Sequence, residues 1–243
     1  MVQTIRLIVF HSIKYRESDL LVYAYTPSHG RQTYVLKGYR TTQKRSASAR
    51  IFPLNILEAE IYYHSGAPVH FIKSLYPVID LSKIRGDVLK SSIALFLGEL
   101  LYKSIKEEES HLPLYRFLVE SIQTLNDLEN GLANFHLYFL TQFCKRLGYA
   151  PLSNHNPVHT PFFDMAQGTF VAPDTVSDFL FSKEDSLLFA RLSALTLASE
   201  AADIPLNGGQ RHQFITSMLR YLHYHLGVEL NIKSPDVLRQ LFQ

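Results

Sequence analysis

Between Leu36 and Pro53 the chain reads LKGYRTTQKRSASARIFP, with five cationic side chains (Lys37, Arg40, Lys44, Arg45 and Arg50) and no carboxylate. Cations at this density, with no acid among them, suit polyanion binding, because each can displace a counterion from a phosphate regardless of base sequence. The apolar residues of the segment follow neither a helical nor a strand period, so burial in a core does not account for it. The bias reaches further along the chain. From Leu20 to Leu57 there are six basic residues, Arg31 among them, and no acid. Residues 1–80 hold ten Lys and Arg against five Asp and Glu, whereas residues 81–243 hold fourteen against seventeen, so the net charge of +2 conceals a basic first part.

Other reactive groupings are weaker. The Gly208–Gly209 pair has no strand signal before it and no Lys-Ser/Thr after it, so it is not a phosphate-cradling loop. His155 and His159 lie between Cys144 and Asp164, which raises the question of a zinc knuckle. Structural zinc takes four ligands dominated by thiolates at close spacing, and the chain has one cysteine in total. Polar loop histidines are the expectation there. His223 and His225 are two apart on a helical pattern and point to different faces. Glu107, Glu108 and Glu109 read as a solvated segment ending a helix, and Glu58 and Glu60 as neighbours on the wet face of a strand. No pair of titratable groups is set in contrasting environments, as acid–base catalysis requires. The chain is therefore read as a non-enzymatic binding protein without metal or cofactor.

The frame that carries the basic segment is legible from period. The stretches 4–13, 19–26, 32–38, 54–64 and 70–77 are rich in Val, Ile, Tyr and Phe, several alternate apolar with polar, and TPSHG (26–30) and SGAP (65–68) are turn signals. Five strands with the longest connection between the third and fourth fit an OB-fold barrel, with a small SH3-like barrel as the alternative. After Asp80 the period becomes helical. Apolar stripes run through 84–105, 114–128 and 132–147, with Pro113 suited to a first turn and Gly148 to a left-handed cap. Residues 149–176 interrupt the pattern with four prolines. Helical signal returns at 183–202 and 210–227, and Ser234 with Pro235 opens a short closing helix. The expected fold is α+β: an N-terminal five-stranded OB-fold barrel (1–80) followed by an all-helical domain (81–243) with an irregular excursion at 149–176. With one cysteine and no secretory signal pattern or membrane-length apolar run, the expected location is the cytoplasm, near the nucleoid.

Barrels of this kind bind single strands through the face of strands 2 and 3 and adjoining loops, with cations on phosphates and aromatic faces on bases. Tyr23 and Tyr25 fall on the second strand, Tyr34 on the third and Tyr39 among the cations that follow. The competing reading places these tyrosines inside the barrel and leaves the basic loop as a solvated segment. If five or six cations each met a phosphate, the log–log salt slope on single strands would be about −3.5 to −4.

YRESDLLVYAYTPSHGR (15–31) followed by LKGYRTTQKRS (36–46) resembles the amino-terminal region of the RecO family of bacterial recombination mediators, where a YxExD segment, a Thr before a Gly turn and a KGxR loop occur in that order. MLRYLHYHLGVELNIKSPDVLRQL (218–241) is similar to that family's closing helix. The resemblance implies an OB-fold with a helical domain, binding of single- and double-stranded DNA, annealing of complementary strands, and cooperation with RecR and the single-strand-binding protein to load RecA. Lys37, Gly38 and Arg40 match the KGxR loop; local charge and aromaticity add Arg31, Tyr39, Lys44, Arg45 and Arg50 to the DNA-binding set. Many members carry a four-cysteine zinc site where this chain has LGYAPLSNHNPVHTPFFDM, which contains no cysteine. The zinc is not carried over, and Phe162, Phe163 and Phe170 are expected to hold the excursion together instead. The acidic, Phe-ended tail of the single-strand-binding protein would need an apolar pocket rimmed by cations, for which Arg116, Lys145 and Arg146 are candidates against their ordinary role at helix ends. An RNA-binding barrel, a protein adaptor with a basic loop, and a hydrolase using residues 155–164 stand as alternatives.

Overall fold

Alternation in the first eighty residues becomes five strands in the computed structural model, which describes residues 1–39 and 50–242. They are β1 (Val2–Tyr15), β2 (Asp19–Thr26), β3 (Gly30–Leu36), β4 (Ile56–Tyr62) and β5 (His70–Pro77). The strands close a barrel in the order β1-β2-β3-β5-β4. Every contact is antiparallel except that of β3 with β5, where Tyr34 lies beside His70 and Val35 beside Phe71. This order is the OB plan and separates the fold from an SH3-like barrel. β1 serves two neighbours: residues 2–8 pair with β4 and residues 8–15 with β2, the latter pairing carrying a register shift between Val9 and His11. A bulge bends one long strand around the barrel in this way. Leu7, Val9, Val22, Ala24, Tyr34, Leu36, Leu57, Ala59, Ile61 and Ile72 fill the interior.

The outward side of β1 and β2 is apolar as well, and helices cover it. α1 (Ser82–Gly86) and α2 (Val88–Ser104) are separated by Asp87, whose carboxylate accepts from the amides of Leu89 (2.7 Å) and Lys90 (3.1 Å). The single stripe expected over 84–105 is thus broken where an N-cap must take an extended backbone. α2 lies on β1 so closely that a Cβ at Gly98 would stand 2.8 Å from the Phe10 carbonyl oxygen and 2.7 Å from Pro53 Cβ. α3 (Leu112–Asp127) brings Tyr115 to Tyr25, ring centres 6.5 Å apart, while Phe10 stacks on Tyr25 at 5.7 Å. Barrel and helices as far as Asn126 form one compact unit, and the chain from Asp127 onward forms a second. The change from strand to helix at residues 77–82 therefore falls inside the first unit.

The second unit holds α4 (Leu132–Arg146), a hairpin of β6 (Phe162–Asp164) and β7 (Thr169–Val171), α5 (Lys183–Ala194), a 3-10 turn (Ala198–Asp203), α6 (Gly208–Leu226) and α7 (Pro235–Leu241). Gly148, at φ +88°, follows α4 as a left-handed cap. The excursion at 149–176 is organised by the hairpin. Asp164 accepts from the amides of Ala166 and Gln167 to shape the turn. The buried Phe163 ring meets Phe170, Phe181, Phe189 and Tyr221 at 4.8 to 5.3 Å between centres. Phe162 is only half-buried. Among the described residues no three His, Cys, Asp or Glu gather as a metal site, and no helix is long and apolar enough to cross a membrane.

Three substitutions test this packing by urea unfolding. Gly98→Ala is expected to destabilise by about 1–3 kcal/mol through overpacking against Phe10 and Pro53, whereas Gly86→Ala, with open space at its Cβ position, is expected to cost nothing measurable. Phe163→Ala is expected to cost about 3–5 kcal/mol, and a chelator to leave the wild-type transition where it was.

Candidate nucleic-acid interface

The basic segment begins where β3 ends, and a buried carboxylate fixes its base. Gly38 takes φ +66°, a left-handed conformation that glycine adopts without steric cost. Its amide donates to Asp19 Oδ1 at 3.0 Å, and the next amide, of Tyr39, donates to the Ser18 carbonyl at 2.8 Å. Asp19 opens β2 directly after the turn at residues 16–18. The last residue of the YxExD stretch thus orients the first residues of the KGxR loop, a role that periodicity alone does not reveal. Lys37 is exposed, with Nζ 4.3 Å from the centre of the Phe71 ring. Arg40, Lys44 and Arg45 lie outside the described residues.

The strand tyrosines do not form the expected groove. Tyr34 faces the barrel interior and is 1% exposed. Tyr25 faces outward but lies beneath α3, and burial, with Glu107 as the second cause, pushes its pKa up to about 12. Tyr39 packs against the edge of the barrel core. Tyr23 is half-buried against Tyr102 at 4.8 Å and His11 at 6.4 Å; burial and then Tyr102 raise its pKa against the opposing pull of Arg31. Period 2 correctly divides β2 into two faces, but the outer one is consumed by helices that come later in the sequence.

Arg31 follows the same logic. One of its terminal nitrogens donates to the carbonyls of Tyr102 (3.1 Å) and Ile105 (3.0 Å) at the end of α2, and its guanidinium lies 4.7 Å from the Tyr102 ring centre and 5.4 Å from that of Tyr23. A cation on the last carbonyls of a helix complements their partial negative charge. The structure gives Arg31 this helix-end position and does not bring it to Lys37, Gly38 and Tyr39. Arg50 is similarly tied: its guanidinium donates to the Leu75 carbonyl on β5, and its own carbonyl accepts from Asn55 Nδ2.

Of the residues considered for a partner's tail, Arg116 is exposed on α3 in the first unit, whereas Lys145 and Arg146 belong to the second. Lys145 Nζ donates to the Ser193 carbonyl at the end of α5, 3.0 Å away, as a helix-end cation does. Arg146 is exposed. The second unit also contains a cavity of about 380 Å³ lined by Pro151, Leu152, His155, Phe170, Leu187 and Arg191 among others. Arg191, which sequence reasoning missed, is its exposed cation. The signal was faint, a lone arginine inside the apolar run of α5. His155 sits edge-on to Phe170 at 5.0 Å, and burial lowers its pKa.

Comparison with known proteins gives a consistent result over the whole chain. The family model for "Recombination protein O N terminal" matches residues 1–78, and that for "Recombination protein O C terminal" matches residues 85–234. The DNA repair protein RecO of Bacteroides fragilis strain YCH46 is 32% identical over 239 residues, 97% of each chain. Its counterpart from Porphyromonas gingivalis is 30% identical over 245 residues and the full length of both. That of Flavobacterium psychrophilum is 30% identical over 239 residues, 98% of each.

The Asp19 anchor is separable from its charge. Asp19→Asn keeps an oxygen acceptor for Gly38 while removing a negative charge, so affinity for a labelled single-stranded oligonucleotide should hold or rise. Asp19→Ala removes both, and is expected to bind more weakly than Asp19→Asn and to lose about 1 kcal/mol of stability. Fluorescence anisotropy and thermal unfolding of the pair check this.

Proposed function

The chain belongs to the RecO family, as the two domain matches and the full-length relatives show, and on that premise we propose that it is a DNA-binding mediator of recombinational repair. It binds single- and double-stranded DNA through the basic end of the barrel and promotes annealing of complementary strands. The observation that carries this reading is the coupling of Asp19 to the amide of Gly38, which holds the start of a carboxylate-free cationic segment at one end of an OB barrel. The mechanism is charge neutralisation. Cations on the phosphates of two strands release counterions and reduce mutual repulsion, so that encounter becomes frequent enough for pairing. No covalent bond is made or broken in this scheme, and the protein is not an enzyme.

The second unit supplies the partner function. The cavity beside Arg191 has the chemistry to accept an aromatic ring against Leu187 and Phe170, with an acidic chain end on the guanidinium. The tail of a single-strand-binding protein fits that description, and docking of that tail would let the chain help RecR and the recombinase replace the coat on a strand.

Lys44→Glu with Arg45→Glu tests the reading. Single-strand affinity and annealing should fall sharply, with a log–log salt slope shallower by about 1.4, from roughly 0.7 per lost contact, and the thermal midpoint should stay within a degree or so of wild type. Unchanged affinity would count against it. Tighter binding of an RNA than of the matched DNA would instead favour an RNA-binding barrel, and no oligonucleotide binding at low salt would favour a protein adaptor.

A further inference from the structure

The tip of the β1–β2 hairpin adjoins the basic loop and carries side chains that barrel packing does not use. Residues 13–16 read Ile-Lys-Tyr-Arg, and all four are exposed. Tyr15 pairs across the hairpin with Asp19, the residue whose carboxylate holds the Gly38 amide, and Ser18 in the turn holds that of Tyr39. Two hydrogen bonds therefore make the hairpin tip and the start of the basic loop one continuous surface. Arg16 stands at φ +53°, where a glycine or asparagine would be relaxed and an arginine is uncommon. Its guanidinium lies 5.1 Å from the Tyr15 ring centre. A strained backbone position occupied by a long cation, set over an exposed ring, points to a role for what the side chain presents. Glu17 and the Gly38-bound Asp19 are the carboxylates of the tip, set against the three cations Lys14, Arg16 and Lys37.

We propose that this tip is a second wall of the DNA site, in which Tyr15 stacks on a base of a single strand while Lys14 and Arg16 meet the phosphates on either side of it. The proposal rests on the DNA-binding reading above and names residues outside its cationic segment. A flat ring with one cation over it and a second on the preceding residue, at the base of a cationic segment, is complementary to unpaired nucleotides, whose bases are free to stack and whose backbone is anionic. A duplex offers the phosphates without the free base faces, so the tip discriminates in favour of single strands.

The chain contains no tryptophan, so Tyr15→Trp introduces a sole indole at the proposed stacking position. In the full chain its emission should be quenched on addition of oligothymidine. Anisotropy with labelled oligothymidine should show Tyr15→Ala binding about tenfold more weakly with an unaltered salt slope, as loss of one stacked base implies. Lys14→Glu with Arg16→Glu should instead make the log–log slope shallower by about 1.4. If wild type binds oligothymidine while both sets of variants keep its affinity and slope and the indole emission does not change, the tip is excluded and the broader reading survives. If wild type does not bind at low salt, both fall.

Discussion

The approach of α2 to the barrel governs what the rest of the first unit can do. Gly98 lets the helix backbone come within contact of the Phe10 carbonyl and Pro53, nearer than any side chain would permit. Laid that close, the helix makes the outer face of β1 a second apolar interface that buries Ile8 and Phe10, and α3 extends the cover over Tyr25 on β2. The end of α2 then falls beside the start of β3, where its last carbonyls require donors, and Arg31 supplies them. A residue that reads from sequence as one more phosphate ligand is thereby a helix cap, and the strand face that serves many OB-folds as a groove is closed.

The two ends of the barrel differ in sign. At the β2–β3 turn the exposed run Glu107–Glu109 folds against Gly30, with the Arg31 amide donating to the Glu107 carbonyl and the Ser110 hydroxyl to that of Pro27. At the other end lie Lys14, Arg16, Lys37 and the start of the cationic segment. β2 connects the two. Eight residues at about 3.3 Å each separate them by roughly 23 Å, more than twice the screening length of about 8 Å at physiological salt. The acids near Gly30 therefore do little to cancel the field at the basic end, which is the end whose field attracts a polyanion.

The parts that sequence disclosed are those set by local period and by charge. Alternation fixed which residues of each strand share a face, and the unbalanced cations fixed where to look for a ligand. Whether an outward face is wet is a different question, because it depends on elements far along the chain. Nothing within DLLVYAYT says that Tyr25 meets Tyr115, ninety positions later. The same holds for Arg31, whose partners are carbonyls at positions 102 and 105. Asp87 was legible in principle, since an Asp before an apolar helical run is a capping signal, but the continuous stripe around it obscured the break. The excursion at 149–176 looked irregular because its hairpin strands are three residues each, too short to display a period. Its phenylalanines still indicated an aromatic core, and Phe163 among four other rings is that core.

Burial of the strand tyrosines bears on how such a protein could anneal DNA. A groove that stacked successive bases on Tyr23, Tyr25 and Tyr34 would bind a strand firmly and hide the faces it needs for pairing with a complement. With those rings packed against the fold, the proposed DNA binding would rest chiefly on phosphate contacts, which leave Watson–Crick edges outward and are sequence-independent. On the proposal made for Tyr15, one ring at the hairpin tip would orient a strand by holding a single base without immobilising a run of them. Grip and release are then set by different terms, since charge pairing weakens steeply with salt and stacking does so only slightly. A mediator that must take up a strand, present it to its complement and let go is better served by this division than by a continuous stacking groove.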